Sequence, residues 1–175
     1  CSVGIQKTEQ PKETDSGGFT VEGIKIALFD VSNVNKPKEV DKVVIGDSGS
    51  DSAVLYDHKA FLFSKEKNLL VIPVTEMTER QKMQPYMYSY SVWHGAYVFH
   101  LDESGFEELG KVKHSSSRSD YWNWWDATTV LRSLYMDDNL YTISNKYIKI
   151  NDLKNDLEEL NTIKLPTTNE YYYWR

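Results

Sequence analysis

Two stretches, Glu107-Glu108-Leu109-Gly110-Lys111-Val112-Lys113 and Glu158-Glu159-Leu160-Asn161-Thr162-Ile163-Lys164, match closely in residue type and order. Each follows an aromatic-containing run of strand length, Tyr97-Val98-Phe99-His100-Leu101 in one case and Tyr147-Ile148-Lys149-Ile150-Asn151 in the other. A third pair, Ile26 to Val31 with Glu39-Val40-Asp41-Lys42-Val43-Val44-Ile45, has the same plan. Upstream, Phe61-Leu62-Phe63 with Leu69-Leu70-Val71-Ile72 parallels Leu134-Tyr135-Met136 with Leu140-Tyr141-Thr142-Ile143. β-Branched and aromatic residues in short runs, separated by turns such as Asp137-Asp138-Asn139, read as strands. The repeating unit is therefore four antiparallel strands in about 40 residues without insertions, the size of a propeller blade.

In that register residues 1–46 form a partial first blade with a long loop, lacking its opening strand. Residues 47–114 form a second blade with an insertion at 75–91. Residues 115–129 are a Trp-rich interblade segment, 130–165 a third blade and 166–175 an aromatic tail. Asn151 to Leu160 also carries leucines at helical spacing, but the internal match favours strand, turn at Lys154-Asn155-Asp156, and strand. The fold class is all-β, a partial β-propeller of about two and a half to three blades; a small β-sandwich is the competing architecture. So few blades cannot close a ring of four to eight, so the open faces should meet remaining blades or self-associate.

Composition narrows the partners. Of 175 residues 40% are hydrophobic, enough for a packed core, and the net charge is -6. An acidic balance disfavours nucleic acid and anionic membrane surfaces, which need clustered positive charge. Leu69 to Val74, the most apolar run, is far shorter than the roughly 20 residues that cross a bilayer, so no transmembrane segment is expected. Cys1 is the single cysteine, which excludes an intrachain disulfide and a CxxC site.

Gly23 through Val40 resembles part of a family of exported archaeal and bacterial β-propeller proteins. So do Tyr56-Asp57-His58-Lys59-Ala60-Phe61-Leu62-Phe63, Lys65 to Val74, Gly95-Ala96-Tyr97-Val98-Phe99, Arg132-Ser133-Leu134-Tyr135 and Asn139 to Ser144. The resemblance is to the C-terminal part of longer proteins. It implies an extracytoplasmic location, with any export signal upstream, and it carries over no catalytic role.

Candidate chemistry is sparse. His58, between Asp57 and Lys59, can ligate a metal or act as a base, or hydrogen-bond a neighbouring loop structurally. Asp47-Ser48-Gly49-Ser50-Asp51 offers the hard oxygens calcium takes, without the length or terminal Glu of an EF-hand loop; an ordinary turn is the alternative. No other cofactor is indicated. Tyr121-Trp122-Asn123-Trp124-Trp125-Asp126, preceded by Asp120, can stack on a ligand and bind hydroxyls, or pack at a blade junction. Tyr86, Tyr88, Tyr90 and Trp93 decorate the insertion, with Met77, Met83 and Met87 available to fill gaps. Nucleophile-elbow and phosphate-loop motifs are absent. The expected function is a non-enzymatic, extracytoplasmic module binding a protein or envelope glycan. The alternative is a metal-dependent hydrolase or lyase sharing its site with missing blades, which convergence of Asp51, Asp57 and His58 would favour.

Overall fold

The computed structural model describes residues 1–8, 11–13, 19–21, 23–84, 87–114 and 127–166; at 11–13, 19–21, 79–84 and 87–91 it describes the backbone. The described strands, in chain order, are β1 (Ser2–Lys7), β2 (Pro11–Glu13), β3 (Phe19–Val21), β4 (Ile24–Asp30), β5 (Lys38–Ile45), β6 (Leu62–Ser64), β7 (Leu69–Gln84), β8 (Met87–Asp102), β9 (Gly105–Lys113), β10 (Arg132–Met136), β11 (Asn139–Ile143), β12 (Tyr147–Asp152) and β13 (Glu159–Lys164). They form three antiparallel sheets, ordered β1-β4-β5, β6-β7-β8-β9 and β10-β11-β12-β13, plus the small ribbon β2-β3. The ring is open. Among the described residues the first sheet has no strand in the place that β6 and β10 occupy in the other two.

Alternation along two strands explains how the sheets stack. Leu70, Ile72 and Val74 of β7, with Tyr97, Phe99 and Leu101 of β8, join Ile24, Ile26, Leu28 and Ile45 of the first sheet in one core cluster. Leu69, Val71, Ala96 and Val98 point the other way and join Val130, Leu140 and Leu157 in a second cluster. A strand with a partner on both faces must be apolar at every position, and Leu69 to Val74 and Ala96 to Phe99 are the consequence. The middle sheet is the packed layer, and the seams on either side of it are the cores.

The matched Glu-containing repeats have a geometric cause. In each sheet the register slips at the same place: between Leu28 and Phe29, between Val98 and Phe99, and between Ile150 and Asn151. Glu39, Glu108 and Glu159 face the slip, and the next residue in each outer strand, Val40, Leu109 or Leu160, is the unpaired extra one. A bulge of this kind bends and twists the strand that carries it.

One local reading changes. Lys59 to Phe63 reads as strand, but His58–Ala60 is a 3-10 turn and the strand begins at Leu62. Asp57 ends the extended backbone there, because its side chain accepts from the Lys59 amide at 2.9 Å. The segment 75–91 is a continuation of the β7–β8 hairpin beyond the sheet, with irregular register between Thr78 and Gln81 and again between Lys82 and Gln84. At the other ambiguous stretch β12 runs to Asp152 and β13 starts at Glu159, with Asp156 and Leu157 at positive φ between them.

Candidate functional site

The free edge of β1 borders a cleft of about 540 Å³. Its apolar lining comes from Val3 on β1, Leu28 on β4, Phe61 and Phe63 around β6, and Leu101 on β8. Lys65, Asp102 and Glu103 supply charge at its margin. A second hollow of about 460 Å³, lined by Asp30, Val31, Ser32 and Val40, shares Cys1 and Glu103 with the first. Phe63 remains 43% exposed, although it lies in a strand beside the core. The cleft exists because the second sheet carries β6 as its edge strand beyond β7, while among the described residues the first sheet stops at β1. The result is an unpaired strand edge beside a partly open aromatic wall, rimmed by carboxylates.

Asp102 and Asp30 stay ionised at neutral pH. Ser104, through its hydroxyl and its amide, holds Asp102 below its ordinary range, with His100 at 3.5 Å adding to the effect. The Ser32 amide and side chain do the same for Asp30. Hydrogen bonds to an anion favour the charged form, so this margin is acidic at neutral pH.

Of the residues expected to hold a metal, Asp51 and Asp57 have other partners. The Asp51 carboxylate pairs with Lys7 at 3.3 Å and accepts from the Tyr56 hydroxyl at 3.2 Å, while its backbone bridges Thr75. Asp47 opens a turn, its amide donating to the Met77 carbonyl and its carbonyl accepting from the Ser50 amide. Asp57 caps the 3-10 turn and pairs with Arg132 at 3.1 Å. The Lys59 amide and then the Arg132 guanidinium hold its carboxyl below the usual range. His58 is exposed on that turn. Among the described residues no three His, Cys, Asp or Glu side chains are grouped to hold a metal ion.

Asp120, Tyr121, Trp122, Trp124, Trp125 and Asp126 lie outside the described residues, as do Tyr86 and the side chains of Met83, Met87, Tyr88 and Tyr90. Trp93 is described. Its ring meets Tyr97 edge to face, at 5.4 Å between centroids.

Two polar clusters were not legible in the sequence. Tyr97 donates its hydroxyl to Glu76 at 2.7 Å, and Lys111 reaches both groups while lying 4.1 Å from the centre of the Tyr97 ring. Burial and then the Glu76 carboxylate push the Tyr97 hydroxyl well above its ordinary value, so it stays a donor. At the other seam, His114 Nδ1 is 2.9 Å from the Ser144 hydroxyl and Nε2 is 2.7 Å from that of Thr142. Burial, and secondarily the Lys149 ammonium, push this imidazole down to about 4. The seam is further tied by Ser64 to the Tyr135 hydroxyl at 2.9 Å and by Lys67 to Asp138 at 3.1 Å. Neither cluster follows from local spacing: Glu76, Tyr97 and Lys111 stand on three neighbouring strands of the second sheet, and His114 meets its partners on the third. The only signal available was polar residues at inward positions of a matched repeat, such as Thr142 opposite Lys149 where the second blade has Ile72 opposite Tyr97.

Comparison with known proteins fits this architecture. The chain is 27% identical over 132 residues to an uncharacterized protein of Methanocaldococcus jannaschii, covering 75% of this chain and 16% of that one. It is 25% identical over 142 residues to an uncharacterized protein of Archaeoglobus fulgidus, covering 81% of this chain and 17% of the relative. The chain thus spans about a sixth of the length of these curated relatives. No solved structure matches it. The family described as beta propeller domain matches residues 2–156. Three open, stacked antiparallel sheets and that match lead to one conclusion: the chain belongs to the beta propeller domain family.

Proposed function

We propose that this module is an extracytoplasmic, non-catalytic binding unit whose cleft receives an extended segment of a protein partner. The observation that carries the reading is the coincidence of the free β1 edge with the apolar wall of Val3, Phe61 and Phe63. An exposed edge offers unpaired backbone groups to an incoming strand, and a neighbouring apolar pocket selects alternate side chains. The acidic margin of Asp30, Asp102 and Glu103 complements Lys or Arg flanking that segment. The extracytoplasmic placement rests on the family resemblance of Gly23 to Val40 and Tyr56 to Val74. The alternative of a metal-dependent hydrolase or lyase has no supporting metal cluster among the described residues.

A random dodecapeptide library selected on the immobilised chain, and in parallel on a Phe63→Asp variant, tests the reading. Enrichment on the parent alone of sequences with alternating apolar residues and flanking Lys or Arg supports it. Equal enrichment on both, or binding confined to an oligosaccharide array, overturns it.

A further inference from the structure

The edge of the first sheet has a defined hydrogen-bonding pattern. The Thr8 amide donates to the Gly23 carbonyl at 3.2 Å, one step beyond the pairing of Lys7 with Ile24. In an antiparallel ladder, directly opposed residues alternate between exchanging both bonds and exchanging none. The alternation from Thr8 makes Gln6, Gly4 and Ser2 turn their amides and carbonyls toward β4, while Lys7, Ile5 and Val3 turn theirs away from it. Because β1 is the edge strand of its sheet, Val3, Ile5 and Lys7 present these groups to the open side. The side chains of Val3 and Ile5 pack against the core between the first and second sheets, whereas Ser2 and Gln6 are exposed.

This pattern dictates what a strand laid on the edge must look like. Every strand pair of the three sheets is antiparallel, and antiparallel pairing is the more stable kind per residue. An antiparallel arrival exchanges both bonds with Val3 and both with Ile5, and its residues opposite those two point to the same face as they do. The residue opposite Val3 then enters the apolar part of the cleft, against Phe61, Phe63 and Leu101. Its neighbours in sequence lie opposite Ser2 and Gly4, on the solvated side.

The two ends of the edge differ in charge. At one end stands Lys7, with Asp51 at 3.3 Å. At the other, two residues past Val3, Cys1 lies where the two hollows meet beside Glu103, with Asp102 lining one hollow and Asp30 the other. Against these three carboxylates the two linings set one cation, Lys65. A basic side chain is thus attracted at the Cys1 end and repelled at the Lys7 end, since like charges directly opposite one another destabilise a strand pair.

We infer that the β1 edge selects the direction of its partner segment, taking it antiparallel in the order apolar, polar, apolar, polar, basic, so that Lys or Arg lies on the C-terminal side of the apolar pair. The inference rests on the reading of the cleft given above and names the kind of segment that reading leaves open.

Two capped peptides of identical composition test it by calorimetric titration of the full chain: acetyl-Thr-Val-Thr-Leu-Thr-Arg-amide and its reversal, acetyl-Arg-Thr-Leu-Thr-Val-Thr-amide. The first should bind roughly fivefold more tightly or better, and the preference should vanish in the Asp102→Asn, Glu103→Gln double variant. N-methylation of its Leu, opposite Val3, should weaken binding roughly fivefold or more, whereas N-methylation of the Thr between Val and Leu should leave it nearly unchanged. Equal affinity for the two peptides, or equal effects of the two N-methyl groups, with binding lost in Phe63→Asp, would overturn the direction and register while leaving the cleft as a strand-binding site. Binding of neither peptide, or binding that Phe63→Asp leaves untouched, would overturn the cleft reading and the direction together.

Discussion

Lowering the pH from 8 to 4 should destabilise this protein in a window that its carboxylates do not explain. His114 is 4% exposed and bonded at both ring nitrogens across the seam between the second and third sheets. Burial, aided by Lys149 and opposed by Glu159, lowers its folded value from 6.5 to about 4. Between those two values the unfolded chain takes up a proton that the folded chain refuses. The contribution is therefore complete above about pH 6.5, falls as the pH drops toward about 4, and is lost below it. The gap sets a ceiling of about 3.4 kcal/mol. Because the Thr142 and Ser144 hydroxyls can turn to accept from an imidazolium, the realised loss should be about 1–3 kcal/mol. Carboxylates lowered by their partners, such as Asp57, Asp102 and Asp138, act in a more acidic window, below their unfolded values of about 4. Urea unfolding at pH 7.5, 6 and 5 measures the effect, and a His114→Gln variant should lose most of the slope between 6.5 and 5. A directly titrated His114 value of 6 or above, or identical slopes for parent and variant, would refute the reasoning.

Further outcomes follow from the seams. Phe99→Ala should cost about 3–5 kcal/mol in urea unfolding, since Phe99 is buried between the first and second sheets and rests against both Tyr97 and Phe106. Tyr135→Phe removes only the hydroxyl bonded to Ser64 and should cost about 1 kcal/mol; no change at all would mean that water replaces the bond fully. Gly105→Ala should cost about 1–3 kcal/mol, because Gly105 sits at φ 140° and an added Cβ would stand 2.3 Å from the Asp41 carboxylate that holds the Phe106 amide. An Asp41→Ala change in the Gly105→Ala background should recover part of that loss, and no recovery would place the whole cost in the backbone.

The repeat was legible because strand pairing and pleat act over short distances. Leu69 to Val74 and Ala96 to Phe99 announce a sheet buried on both faces, and the Glu108-Leu109 and Glu159-Leu160 matches announce the bulge without naming it. The 3-10 turn at His58 was not legible, because one Asp57 side-chain bond turns residues 58–60 just ahead of the strand that Leu62 and Phe63 do form. The cleft was hidden for a different reason. It is formed by what the first sheet lacks beside β1, and its walls come from four separated strands or their flanks, so no contiguous motif marks it. Asp51 and Asp57 looked like free oxygen ligands in the sequence, but their counter-ions, Lys7 and Arg132, are brought in by other sheets.

The recurring bulge also determines what kinds of sequence change such a chain tolerates. Removing Leu109 alone would restore straight pairing, with Gly110 still opposite Val98 and Val112 still opposite Ala96, so both ends of β9 would keep their faces and only the local bend would be lost. The same holds for Val40 and Leu160. The bulge is thus a one-residue reserve of length in each outer strand, and its loss changes the curvature of the sheet and not the sides its residues face.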